Sequence, residues 1–269
     1  MSNTNILAQI AVKTKERIAA EKQLLSPATL RSQAEAFSSA TGFPFQAALG
    51  KAGMSFICEA KKASPSKGLI AEDFPYVSIA KDYEAAGASA ISCLTEPYWF
   101  LGKDSYLQEI TKAVSIPVLR KDFTVDEYMI YQAKVLGASA ILLICSILDD
   151  GQLSAYMALA RELGLSVLTE THDETEIERA LKAGATILGV NNRNLKTFQV
   201  DFENTIRLRN MVPKEVLFIS ESGVKTPQDI ARLNELGVDG VLIGETLMRA
   251  PDKKQMLEKL RSLLPGHHA

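Results

Sequence analysis

The chain has 269 residues, of which 46% are hydrophobic and 23% are charged, a composition that excludes disordered and collagen-like proteins. Thirty basic residues stand against 32 acidic ones, so the net charge is -2 and no basic excess indicates binding to nucleic acid or to an anionic membrane. We therefore expect a protein that acts on a small molecule.

The location and the cysteine chemistry can also be predicted. No apolar run approaches the ~20 residues of a membrane-spanning helix, and the polar residues 1–5 lead into no secretory segment, so we expect a cytoplasmic protein. Cys58, Cys93 and Cys145 lie far apart, each inside an apolar run. They are expected to be buried thiols rather than disulfides or metal ligands.

His172 is the only histidine in the body of the chain, so catalysis should depend on lysines, carboxylates and backbone dipoles.

The first 50 residues precede any strand-like run. Apolar residues have helical spacing in residues 6–25 and 28–37, and Gly42-Phe43-Pro44 indicates a turn. A segment of this length buries too little surface to be stable alone. We expect residues 1–50 to form an N-terminal helical extension packed on the rest, so that residues 1–269 make a single domain.

Residues 54–264 alternate between short apolar runs and amphipathic stretches. The eight runs are MSFICEAK, SAISCL, IPVLRKDF, SAILLIC, LSVLTE, TILGVN, EVLFIS and DGVLIG. They have the nearly continuous apolar character of strands buried on both faces, and each gap is long enough for a crossover helix. Residues 87–91 and 137–141 repeat the join Gly-Ala-Ser-Ala-Ile, in which glycine ends a helix before the next strand. This alternation favours an α/β fold of the (β/α)8 TIM barrel type over an open doubly wound sheet.

Barrel enzymes react at the carboxyl ends of their strands. Four predicted strands end in polar residues whose parity directs them into the barrel: Glu59 and Lys61 after the first, Lys121 after the third, Glu170 after the fifth and Asn191 after the sixth. We expect these side chains to converge on one pocket. The alternative is that they are solvated rim charges, with lysine heads extended into water.

The charged neighbours of these residues have the opposite parity. Asp122 is expected to face away from the pocket and to orient a loop. Arg120 and Lys62 are expected to be charges on the outer surface.

The last two predicted strands lead into glycine-containing turns, Ser222-Gly223 and Gly244-Glu245. In many barrels these two loops hold a phosphate with backbone N–H groups, although the glycines could also serve only to make tight turns. Residues 64–68 form a polar loop that could close over a ligand. Residues 97–102 are aromatic for a loop and, with Phe123 and Leu195, could form an apolar wall for a flat ring; ordinary core packing would look the same.

In their order along the chain, these segments resemble the indole-3-glycerol-phosphate synthase family. The resemblance extends over about residues 54–250, and the long N-terminal extension is also similar to that of the family. It rests on residues 59–66, 119–123, 169–172, 190–195, 220–223 and 243–248. Ala60 departs from the family, whose members usually have a larger apolar residue there. Because Ala60 has outward parity, we expect this difference from the family to affect packing rather than chemistry.

The resemblance implies a cytoplasmic carboxy-lyase of tryptophan biosynthesis. The enzyme would convert 1-(2-carboxyphenylamino)-1-deoxyribulose 5-phosphate to indole glycerol phosphate without a cofactor or a metal, and we expect a monomer. The implied general acid is Lys121, and Lys61 would bind the anthranilate carboxylate and could also transfer protons. The resemblance leaves open which lysine acts on which intermediate, and the two lysines would lower each other's pKa. Glu170 would be the general base. The implied positioning residues are Glu59 and Asn191; the implied phosphate contacts are Ser222, Gly223, Gly244 and Glu245; the implied substrate contacts are Ser64, Phe123, Arg193, Leu195 and Glu221.

Two other classes of function remain open from the residues alone. Another phosphate-binding barrel, such as a Schiff-base aldolase or a sugar-phosphate isomerase, would also have a lysine at a strand end. A non-catalytic barrel that binds an anionic metabolite would bind tightly without turnover.

Overall fold

The computed structural model describes residues 6–194 and 197–266. Within them, parallel strands close into a barrel in the order β1-β8-β7-β6-β5-β4-β3-β2. The strands are β1 Ser55–Ala60, β2 Ala90–Leu94, β3 Val118–Lys121, β4 Ala140–Ile144, β5 Ser166–Thr171, β6 Ile187–Asn191, β7 Leu217–Glu221 and β8 Gly240–Ile243. The predicted (β/α)8 barrel, with its eight strands, is confirmed.

Helices surround the barrel and also precede it. The helices are α1 Ile6–Leu24, α2 Pro27–Glu35, α3 Pro44–Leu49, α4 Tyr76–Ala85, α5 Asp104–Ala113, α6 Glu127–Val135, α7 Asp150–Glu162, α8 Glu174–Lys182, α9 Glu203–Leu208, α10 Pro227–Glu235, α11 Glu245–Arg249 and α12 Lys253–Arg261. Two features are additional to the sequence prediction. They are helix α3, and an antiparallel hairpin that pairs residues Ala63–Ser64 with Gly68–Leu69.

The barrel interior is filled by alternate residues of the strands. Ile57 of β1 is in register with Ala90 of β2 and Leu242 of β8, and all three belong to one buried cluster. Residues of the opposite parity, such as Cys58 and Ala60, belong instead to the buried cluster under the surrounding helices. Because successive side chains of a strand point to opposite faces, this alternation also fixes which residues after each strand face the barrel mouth.

Glycine ends the helices at the repeated joins, as predicted. Gly87 and Gly137 have φ values of 77° and 85°, in the left-handed region that glycine adopts most readily. The amide that follows each of them, on Ala88 or Ala138, donates to a carbonyl five residues earlier. Each strand can therefore start directly after the helix, which keeps its register against the neighbouring strand.

The N-terminal extension covers both ends of the barrel. Helix α3 lies at the amino ends of the strands, where the Ser55 hydroxyl donates to the Leu49 carbonyl at 3.2 Å. Residues Leu7 and Ile10 of α1 join the interior cluster and line the cavity at the carboxyl ends. We therefore propose that residues 1–269 fold as a single domain.

Two other expectations can be compared with the structure. Cys58, Cys93 and Cys145 are buried and free, as predicted. Among the helices of the described ranges, none combines the length and the apolar character needed to cross a membrane.

Candidate active site

A cavity of about 690 Å³ opens at the carboxyl ends of the strands. Every predicted site residue that the structure describes belongs to its lining: Glu59, Lys61, Ser64, Lys121, Phe123, Glu170, Asn191, Arg193, Glu221, Ser222, Gly223, Gly244 and Glu245. Leu195 lies outside the described residues. The expected convergence of four strand ends is confirmed, because parallel strands in one barrel present their carboxyl ends to the same mouth.

Lys61 and Glu59 form an ion pair at the end of β1. The Lys61 Nζ atom lies 2.5 Å from Oε1 of Glu59, and Glu59 is only 4% exposed. Burial opposes ionisation of Glu59, but the charges of Lys61 and Lys121 outweigh it and lower the pKa of the Glu59 carboxyl. Glu59 is therefore a carboxylate that fixes the position of the Lys61 ammonium.

Lys121 lies among carboxylates at the end of β3. Its Nζ atom is 3.5 Å from Oε2 of Glu170 and 3.6 Å from Oε2 of Glu221. Burial alone would lower the pKa of Lys121, but Glu170, Glu221 and Glu59 outweigh burial and raise it. The expectation that a second lysine brings the pKa of Lys121 toward neutrality is therefore wrong for the protein without substrate. Lys121 is therefore positively charged at neutral pH.

Glu170 of β5 is surrounded by donors and positive charge. Its Oε1 accepts a hydrogen bond from Nδ2 of Asn191 at 3.2 Å and lies 3.4 Å from Nε2 of His172. Burial would raise the pKa of Glu170, but Lys121, His172 and Asn191 together lower it to about 2. Glu170 is thus ionised throughout the neutral range, in the state that a general base requires.

His172 is a member of this site that sequence reasoning missed. It lies between two carboxylates, with Nδ1 3.0 Å from Oε2 of Glu176 and Nε2 3.4 Å from Oε1 of Glu170. Burial opposes a charged imidazole, yet both carboxylates raise the pKa of His172 to about 10. The sequence did contain a signal for His172. It follows Glu170 by two residues, so the two side chains are expected to point to the same face of the sheet.

Glu221 has a different protonation state from that of Glu170. It is 1% exposed, and its Oε1 has no hydrogen-bond partner among the residues described. Burial raises the pKa of Glu221 to about 8; Lys121 opposes this rise, while Glu170 and Glu59 add to it. The carboxyl groups of Glu59, Glu170 and Glu221 all interact with the charge of Lys121. Protonation of Glu221 removes one negative charge from this cluster.

The turns after β7 and β8 form another part of the cavity rim. Ser222 and Gly223 have φ values of 67° and 95°, so the chain turns sharply after Glu221. The Ser222 carbonyl accepts a hydrogen bond from Nδ2 of Asn192 at 3.0 Å. A side chain at Gly244 would overlap the Glu59 and Lys61 pair, so only glycine allows this turn to lie against β1.

Aromatic side chains line another part of the cavity. The rings of Phe100 and Phe123 lie with centroids 6.0 Å apart, and both residues line the cavity, as expected of an apolar wall. The loop that carries Phe100 is fixed by Glu96, which is fully buried and accepts hydrogen bonds from three backbone amides, those of residues 98–100. Sequence reasoning did not identify this carboxylate. It holds the aromatic loop over the strand ends.

The structure corrects one expectation and extends another beneath the site. Arg120 is not a surface charge: it is 3% exposed, and its Nη2 lies 2.8 Å from Oδ1 of Asp104, because helices cover the outer face of β3. Asp122 does orient the following loop, through a 2.8 Å bond from the Phe123 amide. Its Oδ2 also accepts a hydrogen bond from Nη2 of Arg17 at 2.9 Å, which ties α1 to the residue after Lys121.

The fold and the site define a (β/α)8-barrel enzyme whose reactive groups are lysines and carboxylates. Comparison with known families is more specific: the model of the family described as indole-3-glycerol phosphate synthase matches residues 7–260. The chain therefore belongs to the indole-3-glycerol phosphate synthase family and is a carboxy-lyase of tryptophan biosynthesis.

Individual relatives agree with this assignment. The indole-3-glycerol phosphate synthase of Ruminiclostridium cellulolyticum is 55% identical over 256 residues, covering 95% of this chain and 98% of the relative. That of Lachnoclostridium phytofermentans is 53% identical, with coverages of 96% and 100%. Among solved structures, 3-hexulose-6-phosphate synthase from Salmonella typhimurium superposes with a TM-score of 0.65 at 16% identity, covering 80% of this chain and all of that one. This last similarity concerns the fold alone.

Proposed function

We propose that this chain converts 1-(2-carboxyphenylamino)-1-deoxyribulose 5-phosphate to indole glycerol phosphate, with loss of carbon dioxide and water. Membership of the family supports the overall reaction. The observation that carries the assignment of roles is the convergence of Lys61, Lys121 and Glu170 on one cavity, with Ser222 and Gly223 at the same rim.

Ring closure requires a proton donor at the substrate ketone. An aromatic carbon attacks the carbonyl carbon, and the oxygen takes a proton as the new carbon–carbon bond forms. Lys121 is charged, so it carries a proton that it can donate, and it lines the cavity. We assign the general-acid role to Lys121. Lys61, held by Glu59 at 2.5 Å, would bind the anthranilate carboxylate.

Decarboxylation and dehydration complete the sequence. The carbon–carboxylate bond breaks, and its electron pair neutralises the iminium group of the closed ring, so this step requires no added electron acceptor. The hydroxyl group then leaves as water while a ring proton is removed. Glu170, ionised and oriented by Asn191 at 3.2 Å, is the proposed base for this proton.

Binding contacts at the two ends of the substrate would provide orientation. The phosphate would lie on the backbone of Ser222, Gly223 and the Gly244-Glu245 turn. Phe123 and Leu195 would contact the aromatic ring. The other proposed substrate contacts are Ser64, Arg193 and Glu221. Binding of the phosphate, which does not itself react, contributes energy that can be used to position the reacting atoms.

Formation of indole glycerol phosphate by the purified chain, followed by fluorescence without added metal, tests this function. Lys121→Met should remove turnover while Lys51→Met, which changes an exposed lysine before β1, should not. Borohydride treatment in the presence of substrate should leave Lys121 unlabelled. Covalent labelling would instead support a Schiff-base aldolase, and tight binding without turnover would support a metabolite-binding barrel.

We also propose that the protein acts as a cytoplasmic monomer. The cavity is lined by residues of one chain, so the described site needs no side chain from a second copy. Light scattering on the purified chain should give a mass near 29.3 kDa. A dimer mass, or recovery of the protein with membranes on cell fractionation, would contradict this proposal.

A further inference from the structure

A bridged pair of cations lies at the proposed phosphate end of the cavity. Oε1 of Glu245 is 3.4 Å from Nζ of Lys67 and 3.2 Å from Nε of Arg249. All three residues line the cavity together with Ser222 and Gly223. A single carboxylate oxygen thus bridges two positive charges at the place where an anionic group is proposed to bind, and the three side chains together keep a net positive charge.

The two bridged cations come from different parts of the rim. Lys67 lies in the turn of the hairpin that follows β1, whereas Glu245 and Arg249 begin and end α11. The Thr246 hydroxyl donates to the Val224 carbonyl at 2.8 Å, so α11 is tied to the loop that follows Gly223. The ion bridge therefore links the β1 loop to the rim formed after β7 and β8.

The chemistry of Glu245 is opposite to that of a phosphate ligand. Burial opposes its ionisation, but Lys67 and Arg249 lower the pKa of the Glu245 carboxyl, so it is negative at neutral pH. A carboxylate has no proton to donate to a phosphate oxygen and repels it. The side chains of Lys67 and Arg249 are 44% and 52% exposed, and exposed ion pairs are weak enough to be exchanged for a stronger anion.

We propose that Glu245 is a specificity-determining counter-ion, whose carboxylate holds Lys67 and Arg249 in the free protein and releases them to the phosphate of the substrate. This inference rests on the proposed function, because it assumes a phosphorylated substrate at this rim. In this proposal the backbone of Glu245 still contacts the phosphate, whereas its carboxylate competes with the phosphate for Lys67 and Arg249. Monoanionic or uncharged analogues would gain less from the released cations than a phosphate dianion does.

Titration calorimetry with inorganic phosphate tests the inference without turnover. Glu245→Gln removes the competing charge and should bind phosphate about 3- to 20-fold more tightly than the wild type, with a parallel fall in KM. Lys67→Met should bind it more weakly. Glu215→Gln removes an equal charge from an exposed position before β7, at the opposite end of the barrel, and should leave phosphate affinity within twofold of the wild type.

The opposite results are also informative. Unchanged or weaker phosphate binding in Glu245→Gln overturns the inference, and Glu245→Ala repeats the test if the glutamine variant does not fold. Failure of all proteins to bind phosphate, while the wild type still forms indole glycerol phosphate, overturns the inference and leaves the function intact. Tighter phosphate binding by Glu245→Gln, in a protein whose wild type forms no product, supports the counter-ion and refutes the function.

Discussion

Substitution of Glu221 by glutamine should remove a large pH dependence of stability. The folded protein keeps this carboxyl neutral up to about pH 8, whereas its ordinary pKa is 4.5. The pKa is raised on folding, so the associated stability is fully present below about pH 4.5 and is lost as the pH rises through about 8. One pKa unit corresponds to ~1.4 kcal/mol, so the wild type should lose about 3–5 kcal/mol from this group between pH 4 and 9.

Glu221→Gln keeps the shape of the side chain but cannot ionise. Its free energy of unfolding, measured in urea at intervals from pH 4.5 to 9, should therefore exceed that of the wild type by an amount that grows with pH. Glu215→Gln changes an exposed carboxyl and should follow the wild-type curve. A constant difference between Glu221→Gln and the wild type across this range would show that burial does not hold Glu221 neutral.

Three further substitutions test the site and its support. Glu170→Gln should lower kcat about 10²- to 10⁴-fold without loss of fold; a near-native rate would exclude Glu170 as the base. His172→Gln removes a cation that lowers the pKa of Glu170, so the acid limb of the kcat/KM profile should move to higher pH; an unmoved limb would contradict the pairing. Arg17→Met leaves Asp122 buried without this partner. It should lower the free energy of unfolding, measured in urea, by about 2–4 kcal/mol. A smaller loss would mean that Arg120 alone is enough to stabilise the buried Asp122 carboxylate.

The barrel and the convergence of its strand ends could be predicted because both depend on local patterns. Alternation with a period of two is readable in each strand, so the inward positions of Lys61, Lys121 and Glu170 follow from the apolar residues of the same parity earlier in each strand. The glycine at Gly87 and its counterpart at Gly137 reveal where helices end. The roles of these residues in catalysis stay predictions that the experiments above address.

The protonation states and the buried network could not be predicted in the same way. Arg17 and Asp122 are 105 residues apart in the sequence, and a single ion pair leaves no periodic signal. For Arg120 the predicted parity was right and the exposure wrong, because parity does not reveal which helices cover the outer face. The pKa of Lys121 depends on three carboxylates from three other strands, and their distances are set only by the closed barrel.

The register of neighbouring strands explains how one lysine comes to face two carboxylates. Gly189 of β6 is paired with Glu170 of β5 on one side and with Ile219 of β7 on the other. Since Gly189 has no side chain, the Glu221 carboxylate lies in the space that a Cβ there would fill. It is thereby directed toward the mouth, within 3.6 Å of Lys121. The small residue on β6 is thus what allows side chains from β5 and β7 to reach one cation. The surrounding carboxylates raise the pKa of Lys121, whereas burial, together with Glu170 and Glu59, raises the pKa of Glu221 against the effect of Lys121.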